Sequence, residues 1–315
     1  MSITRKKRQR GGWTSKSLAY IKRVQEVIEG LREYWPLTLR QVYYQLVAAG
    51  DIENNLGQYK KLSRLLTKAR LDDMVSWEAL EDRVRSVLHS GGWADKEHFI
   101  EHELEDFLRG YRRDLLQSQA KALEIWIEKD ALSRVCHRVA LPYCVPVVVA
   151  RGFSSVSYLH EARKRIERHA DAGRKTVILY FGDLDPSGWE MLPAMLETLQ
   201  DEMKLKRQVT GTRYALTPEQ VYAYNLPRSI DAMKDADSRT PRYRAMLRSM
   251  GHPDDLAVEL DALPPATLEA LVTEAIEENL DLSQLRREQA QEAAEHGSIL
   301  DLRNKIEDFL DDEMP

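Results

Sequence analysis

Residues 177–190 read VILYFGDLDPSGWE. A buried-looking apolar run ends on two aspartates one residue apart, followed by Pro, Ser and Gly before a helix-like stretch. Upstream, ALEIWIEK (122–129) alternates as a strand that closes on Glu128, and DALSRVCHRVA (130–140) follows as a helix. VPVVVARG (145–152) predicts a second strand with a helix through 154–170, and KTVILYFGD (175–183) a third strand with a helix over about 187–203. QVYAYNLP (220–227) is expected as a fourth strand, and the carboxy-terminal part reads as mostly helical, LPPATLEALVTEAIEENL (263–280) most clearly. Strands alternating with helices predict a parallel sheet covered on both faces, within a chain of class α/β plus helical.

Ligands in such sheets gather at the carboxyl ends of the strands. Glu128, Asp183 and Asp185 fall there. Asp183 and Asp185 share a side if the strand continues through Leu184. Ionised carboxylates buried together are costly unless a cation neutralises them. Oxygen-only ligands with no His or Cys close by suit a hard ion such as Mg2+. The competing reading makes the aspartates a helix cap or turn, as Asp before Pro often is. The DxD pattern also occurs in phosphatases and glycosyltransferases, but Ser187 and Gly188 stand where the phosphatases would carry a Thr. No GxxxxGK[ST] phosphate loop occurs.

The 315 residues allow two domains, or one with a large extension. A hydrophobic content of 43% supports a sizeable core, and the net charge of −5 argues against wholesale coating of nucleic acid. Charge is uneven: MSITRKKRQR opens the chain with five basic side chains, and IEDFLDDEMP closes it with five acidic ones. The basic arm counts as a binding element only beside a basic surface. No secretory signal or membrane span is expected, because the longest apolar stretch, VALPYCVPVVVA (139–150), is short and holds two prolines. Cys136 and Cys144 match neither a zinc pattern nor CxxC, so the default is ordinary thiols in a reducing cytoplasm.

Ahead of the α/β region, residues 15–35 predict an amphipathic helix that Pro36 breaks. TLRQVYYQLVAAG (38–50) predicts a second helix opened by a Thr38–Gln41 capping box, with Leu39, Val42, Tyr43, Leu46 and Val47 as its buried stripe. QYKKLSRLLTKAR (58–70) predicts a third, with Tyr59, Leu62, Leu66 and Ala69 inward and Lys60, Lys61, Arg64 and Lys68 available to phosphates. Three short helices suit a helix-turn-helix or winged-helix module whose third helix faces a DNA groove. Residues 71–86 could add the wing and a closing helix, and SGGWADKE (90–97) marks a boundary. A solvated charged face is the alternative for the basic residues.

IWIEKDAL and GDLDPSG together resemble the Toprim domain, in the branch of the topoisomerase VI A subunit and the meiotic break-forming proteins, and the chain is similar to its compact Mini-A relatives. The resemblance implies Mg2+ binding by Glu128, Asp183 and Asp185, and places Glu259 and Asp261 of VELDALPP (258–265) nearby. It also implies a catalytic tyrosine four residues after an arginine in an amino-terminal winged helix. Arg40 and Tyr44 supply that pair and adjoin on one helix face, with Tyr44 at the margin of the apolar stripe. The expected organisation is a basic arm (1–14), a winged helix (15–90), a linker helix (91–118), a Toprim domain (119–280) and an acidic helical segment (281–315). The expected activity is Mg2+-dependent cleavage of duplex DNA through a 5′-phosphotyrosyl link, by a homodimer in a cytoplasmic, DNA-associated setting. An ATP-hydrolysing B-type subunit would be a separate partner. The rivals are a hydrolytic Toprim nuclease and a non-catalytic DNA-binding or adaptor protein.

Overall fold

The structure is a computed structural model, and it describes residues 12–80, 95–96, 102–103, 107–150, 156–229, 232–233 and 237–313. Three helices open the chain: α1 (Ser15–Gly30), α2 (Leu39–Ala48) and α3 (Leu56–Leu71). Each starts on a side-chain cap. Thr14 and Thr38 form capping boxes with Ser17 and Gln41, and Asn55 accepts from the Gln58 N–H. Ile21, Val24 and Ile28 of α1, Val42 and Leu46 of α2, and Leu62, Leu66 and Ala69 of α3 join one core.

The α/β part follows as β1 (Lys121–Ile127), α4 (Ser133–Ala140), β2 (Val147–Val149), α5 (Val156–Asp171), β3 (Lys175–Phe181), α6 (Pro186–Glu197), β4 (Val209–Ala215) and α7 (Pro218–Ala223). Beyond it lie α8 (Thr240–Ser249), α9 (Pro265–Glu277) and the long α10 (Leu282–Glu313). The four strands form one parallel sheet in the order β2–β1–β3–β4. After their first residues β1 and β3 are buried throughout, as strands covered on both faces must be. Leu123, Ile125, Ile127, Leu179 and Phe181 pack toward α4, α9 and the amino-terminal helices, while Trp126, Ile178 and Tyr180 pack toward α5 and α6. No described helix is long and apolar enough to cross a membrane.

The fourth strand is not where the sequence put it. Residues 218–223 are helical because Thr217 and Gln220 form a capping box with Pro218 in the first turn, where its missing N–H costs nothing. The edge strand is instead Val209–Ala215, whose mixed burial and Gly211 hide the alternation expected of a half-buried strand. A wing is not confirmed. The described part of 71–86 makes a parallel bridge from Leu80 to Leu37, and residues 81–86 lie outside the described ones. Residues 91–94, 97–101 and 104–106 of the expected linker helix 91–118 and most of the boundary at 90–97 lie outside them too, as do residues 1–11 of the basic arm, while residues 96, 102 and 103 are helical. Residues 107–118 form turns and irregular backbone rather than helix, and Arg113 there reaches α10 to pair with Glu288 and Glu295.

Candidate active site

Strand order reverses between β1 and β3, because the chain leaves β1 toward β2 and returns on the other side. That is the crevice where open α/β sheets hold ligands, and the carboxylates stand there. Pairing of Ile127 with Phe181 brings the two strand ends level. The Glu128 N–H donates to the Phe181 carbonyl at 2.9 Å, and the Asp183 N–H donates to Glu128 Oε2 at 3.0 Å. Asp185 caps α6, its Oδ1 accepting the Gly188 N–H at 2.6 Å, so the helix-cap reading holds for this residue. A Cβ at Gly188 would stand 2.5 Å from the Asp183 carbonyl oxygen, so the tight return needs glycine.

A second strand end closes the site. Leu184 and Val258 exchange backbone hydrogen bonds at 2.9 and 2.8 Å in an antiparallel bridge. The bridge carries Glu259 and Asp261 against the aspartate loop, and the Leu260 N–H donates to Asp183 Oδ1 at 2.8 Å.

Three cations meet these five carboxylates. Lys129 Nζ lies 2.6 Å from Asp183 Oδ2, 3.7 Å from Glu259 and 3.9 Å from Asp261. Arg40 pairs with Glu259 and sets its Nε 2.8 Å from Asp261 Oδ2, joining α2 to the sheet end. Arg213 of β4 lies half-buried beneath the loop. It donates to the carbonyls of Gly182 and Asp183 at 3.1 Å each and to that of Gly188, between the rings of Tyr180 and Trp189.

Charge does not balance. Burial pushes Glu128 up to about 7, and Asp183 adds to the rise. Burial also pushes Asp261 up to about 6 against the pull of Arg40 and Lys129. Asp185 is raised by burial and by Asp183. Burial works against the charge of Lys129, yet Asp183 and Asp261 hold its pKa above the usual value. Asp261 Oδ1 is buried with no hydrogen-bond partner among the described residues.

Glu128, Asp183 and Asp185, the residues expected to hold Mg2+, are thus together. Among the described residues, however, no group of His, Cys, Asp or Glu side chains is already arranged to hold an ion. Lys129 stands against Asp183 instead. The donor set still fits a hard divalent cation: it is all oxygen, and its five carboxylates, once all ionised, outnumber Arg40, Lys129 and Arg213 by two.

The two neighbouring tyrosines differ in their hydroxyls. That of Tyr43 meets Asn54 Oδ1 and the Asn55 carbonyl, each at 3.1 Å. That of Tyr44 has no hydrogen-bond partner among the described residues. Tyr44 is not at the margin of the stripe as expected but 3% exposed, with the Arg40 guanidinium 5.8 Å from its ring centre. Burial raises its pKa, Arg40 opposes the rise, and Asp261 and Asp183 add to it. Tyr44 lines a cavity of about 280 Å³ with Arg40, Tyr59, Asn55 and Glu259.

On α3, Lys60, Lys61 and Arg64 are exposed. Lys61 leans toward the Tyr20 ring, whereas Lys68 is half-buried over the Trp13 ring, 4.3 Å from its centre, and bonds the Gly12 carbonyl. Sequence reasoning assigned no role to Lys129 or Arg213. Lys129 was legible as the one cation next to Glu128 in IEKDAL, but Arg213 sits on the strand that lacked a clear pattern. Cys136 is buried and Cys144 exposed, both as free thiols.

No protein-family model, curated protein or solved structure matches this chain.

Proposed function

We propose that the chain is a Mg2+-dependent DNA-cleaving enzyme, similar to the topoisomerase VI A subunit, that uses Tyr44 as nucleophile. The carrying observation is that Tyr44, whose unbonded hydroxyl belongs to a residue lining the cavity, shares Arg40 with the acids at the end of the sheet. Tyr43, its neighbour, is tied to the backbone and to Asn54.

In this reading Lys60, Lys61 and Arg64 hold the DNA backbone and Lys68 contributes at the far end of α3, the groove-facing helix of a winged-helix module. The phosphate enters beside Arg40. Ionising an ordinary tyrosine at pH 7 costs about 4 kcal/mol, and burial adds to that at Tyr44. Arg40, once released from Glu259 and Asp261, offsets the cost and steadies the charged phosphoryl group. The Tyr44 oxygen bonds to phosphorus and the bond to the 3′ oxygen breaks. The phenolic proton leaves to water, and the 3′ oxygen takes one up. The 5′-phosphotyrosyl link keeps the energy of the broken bond, so religation needs no ATP. Mg2+ held by Glu128, Asp183 and Asp185 would neutralise charge on the phosphate and the leaving oxygen. A homodimer would bring two such sites to the two strands of a duplex, and an ATP-hydrolysing B-type partner would add strand passage.

A hydrolytic nuclease is the second reading, favoured by the seclusion of Tyr44. The two separate on supercoiled plasmid with Mg2+, quenched in detergent. Protein covalently bound to 5′ ends, lost in Tyr44→Phe, is expected. Free ends at an unchanged rate in Tyr44→Phe reject the tyrosine chemistry, and an intact plasmid in every condition rejects cleavage.

A further inference from the structure

The cavity beside Tyr44 has a composition that phosphate binding alone does not explain. Tyr43, Tyr44 and Tyr59 line it with the neutral side chains of Asn54, Asn55 and Ser229. The Tyr43 ring lies edge-on to both Tyr44 and Tyr59, with centroids 5.2 Å apart in each case. Like that of Tyr44, the Tyr59 hydroxyl has no hydrogen-bond partner among the described residues, so two unused phenol groups belong to one cavity. Aromatic walls with a few neutral hydrogen-bonding groups suit a planar, polar-edged ring.

Size and surroundings narrow the occupant. At about 280 Å³ the cavity lies just under the range of small-molecule sites, about 300–1,000 Å³, which gives ample room for one planar base. Leu56, 59% exposed, stands at its rim in the first turn of α3. Lys60 and Arg64 follow Leu56 at four-residue spacing, so one helix face leads from the rim along a basic track. Arg40, which also lines the cavity, stands at the acid cluster.

We infer that this cavity takes a single unpaired DNA base next to the phosphate that is cut, so that the substrate strand is single-stranded or locally opened there. The inference rests on the proposed DNA cleavage and names its substrate class. Unpaired and mismatched bases are the cheapest to deliver to such a pocket, which makes them the preferred sites.

Binding tests this without cleavage. A single-stranded oligonucleotide carrying 2-aminopurine is titrated with the protein in EDTA, and its fluorescence is followed. A saturable change is expected, with affinity about tenfold weaker in Tyr59→Ala and kept in Tyr59→Phe, the scale of one base–aromatic stack. A wholly abasic strand of the same length should bind as weakly to the wild-type protein. Equal affinity for intact and abasic strands, or no loss in Tyr59→Ala, overturns the inference. Should Tyr59→Ala lose its helical circular dichroism, Leu56→Trp at the exposed rim decides: a similar loss supports the pocket, and an unchanged affinity overturns it. The outcome is separable from that for cleavage. Abasic DNA cut at the normal rate sinks the pocket and leaves the enzyme, whereas base-dependent binding with no cutting sinks the enzyme and leaves the pocket.

Discussion

Arg40 on the second helix sets its Nε 2.8 Å from Asp261, a carboxylate with no exposed side-chain surface that belongs to the far end of the α/β region. One ion pair therefore joins the tyrosine-bearing helix to the acid cluster within a single chain. Removing one partner of such a pair leaves the other buried and uncompensated. Arg40→Ala is expected to lower stability by about 3 kcal/mol, and Asp261→Asn added to it should restore part of the loss. Urea unfolding of the four proteins in the cycle measures this. Additive losses would mean that the pair is not coupled.

The two tyrosines should separate in opposite directions. Tyr43→Phe gives up the bonds to Asn54 and Asn55 and should lose about 1–2 kcal/mol of stability while still forming the covalent DNA adduct. Tyr44→Phe removes a hydroxyl with no partner, so its stability should stay within about 0.5 kcal/mol while the adduct disappears. Denaturation curves and detergent-trapped adducts from the same preparations give both readings.

Glu128 and Asp261 make stability fall as pH rises. Their pKa values in the folded chain are raised from 4.5 to about 7 and from 3.8 to about 6, so between those limits the folded state holds protons that the unfolded state has released. Their contribution is complete below the unfolded values and is lost progressively up to about pH 6 for Asp261 and about pH 7 for Glu128, with roughly 3 kcal/mol at stake for Glu128. Added Mg2+ should flatten the slope above pH 6 by favouring the ionised acids, and EDTA should restore it. A melting temperature with the same pH profile with and without Mg2+ would falsify the metal assignment.

Arg213 holds the aspartate loop from below through backbone carbonyls. Arg213→Met, which keeps bulk but not the donors, should cost about 2–4 kcal/mol and loosen the loop. Hydrogen exchange at residues 182–188 should accelerate more than at α9, and uniform protection would rule out a local anchoring role.

The basic track predicts a graded response to salt. Lys60→Ala, Lys61→Ala and Arg64→Ala should each reduce the logarithmic salt slope of DNA affinity by about 0.7–0.9. Lys68→Ala should change it less, because its ammonium is engaged by Trp13 and Gly12. Equal slopes for all four variants and the wild type would remove α3 from the DNA path.

The sequence by itself determined the local pieces. Capping boxes at Thr38 and apolar spacing over 58–70 identified two of the opening helices, and the runs ending at Glu128 and Asp183 identified the two central strands. These depend on neighbours along the chain, which is the information a periodic pattern carries. The edge strand escaped because a strand buried on neither face uniformly has little pattern to show. Tertiary structure alone decided how the carboxylates are neutralised: Lys129, Arg40 and Arg213 arrive from a strand-end turn, a distant helix and the edge strand. It also buried Tyr44, which its helix left at the margin of the apolar stripe. Charge compensation and burial depend on which elements pack together in space, and spacing within one element does not contain that.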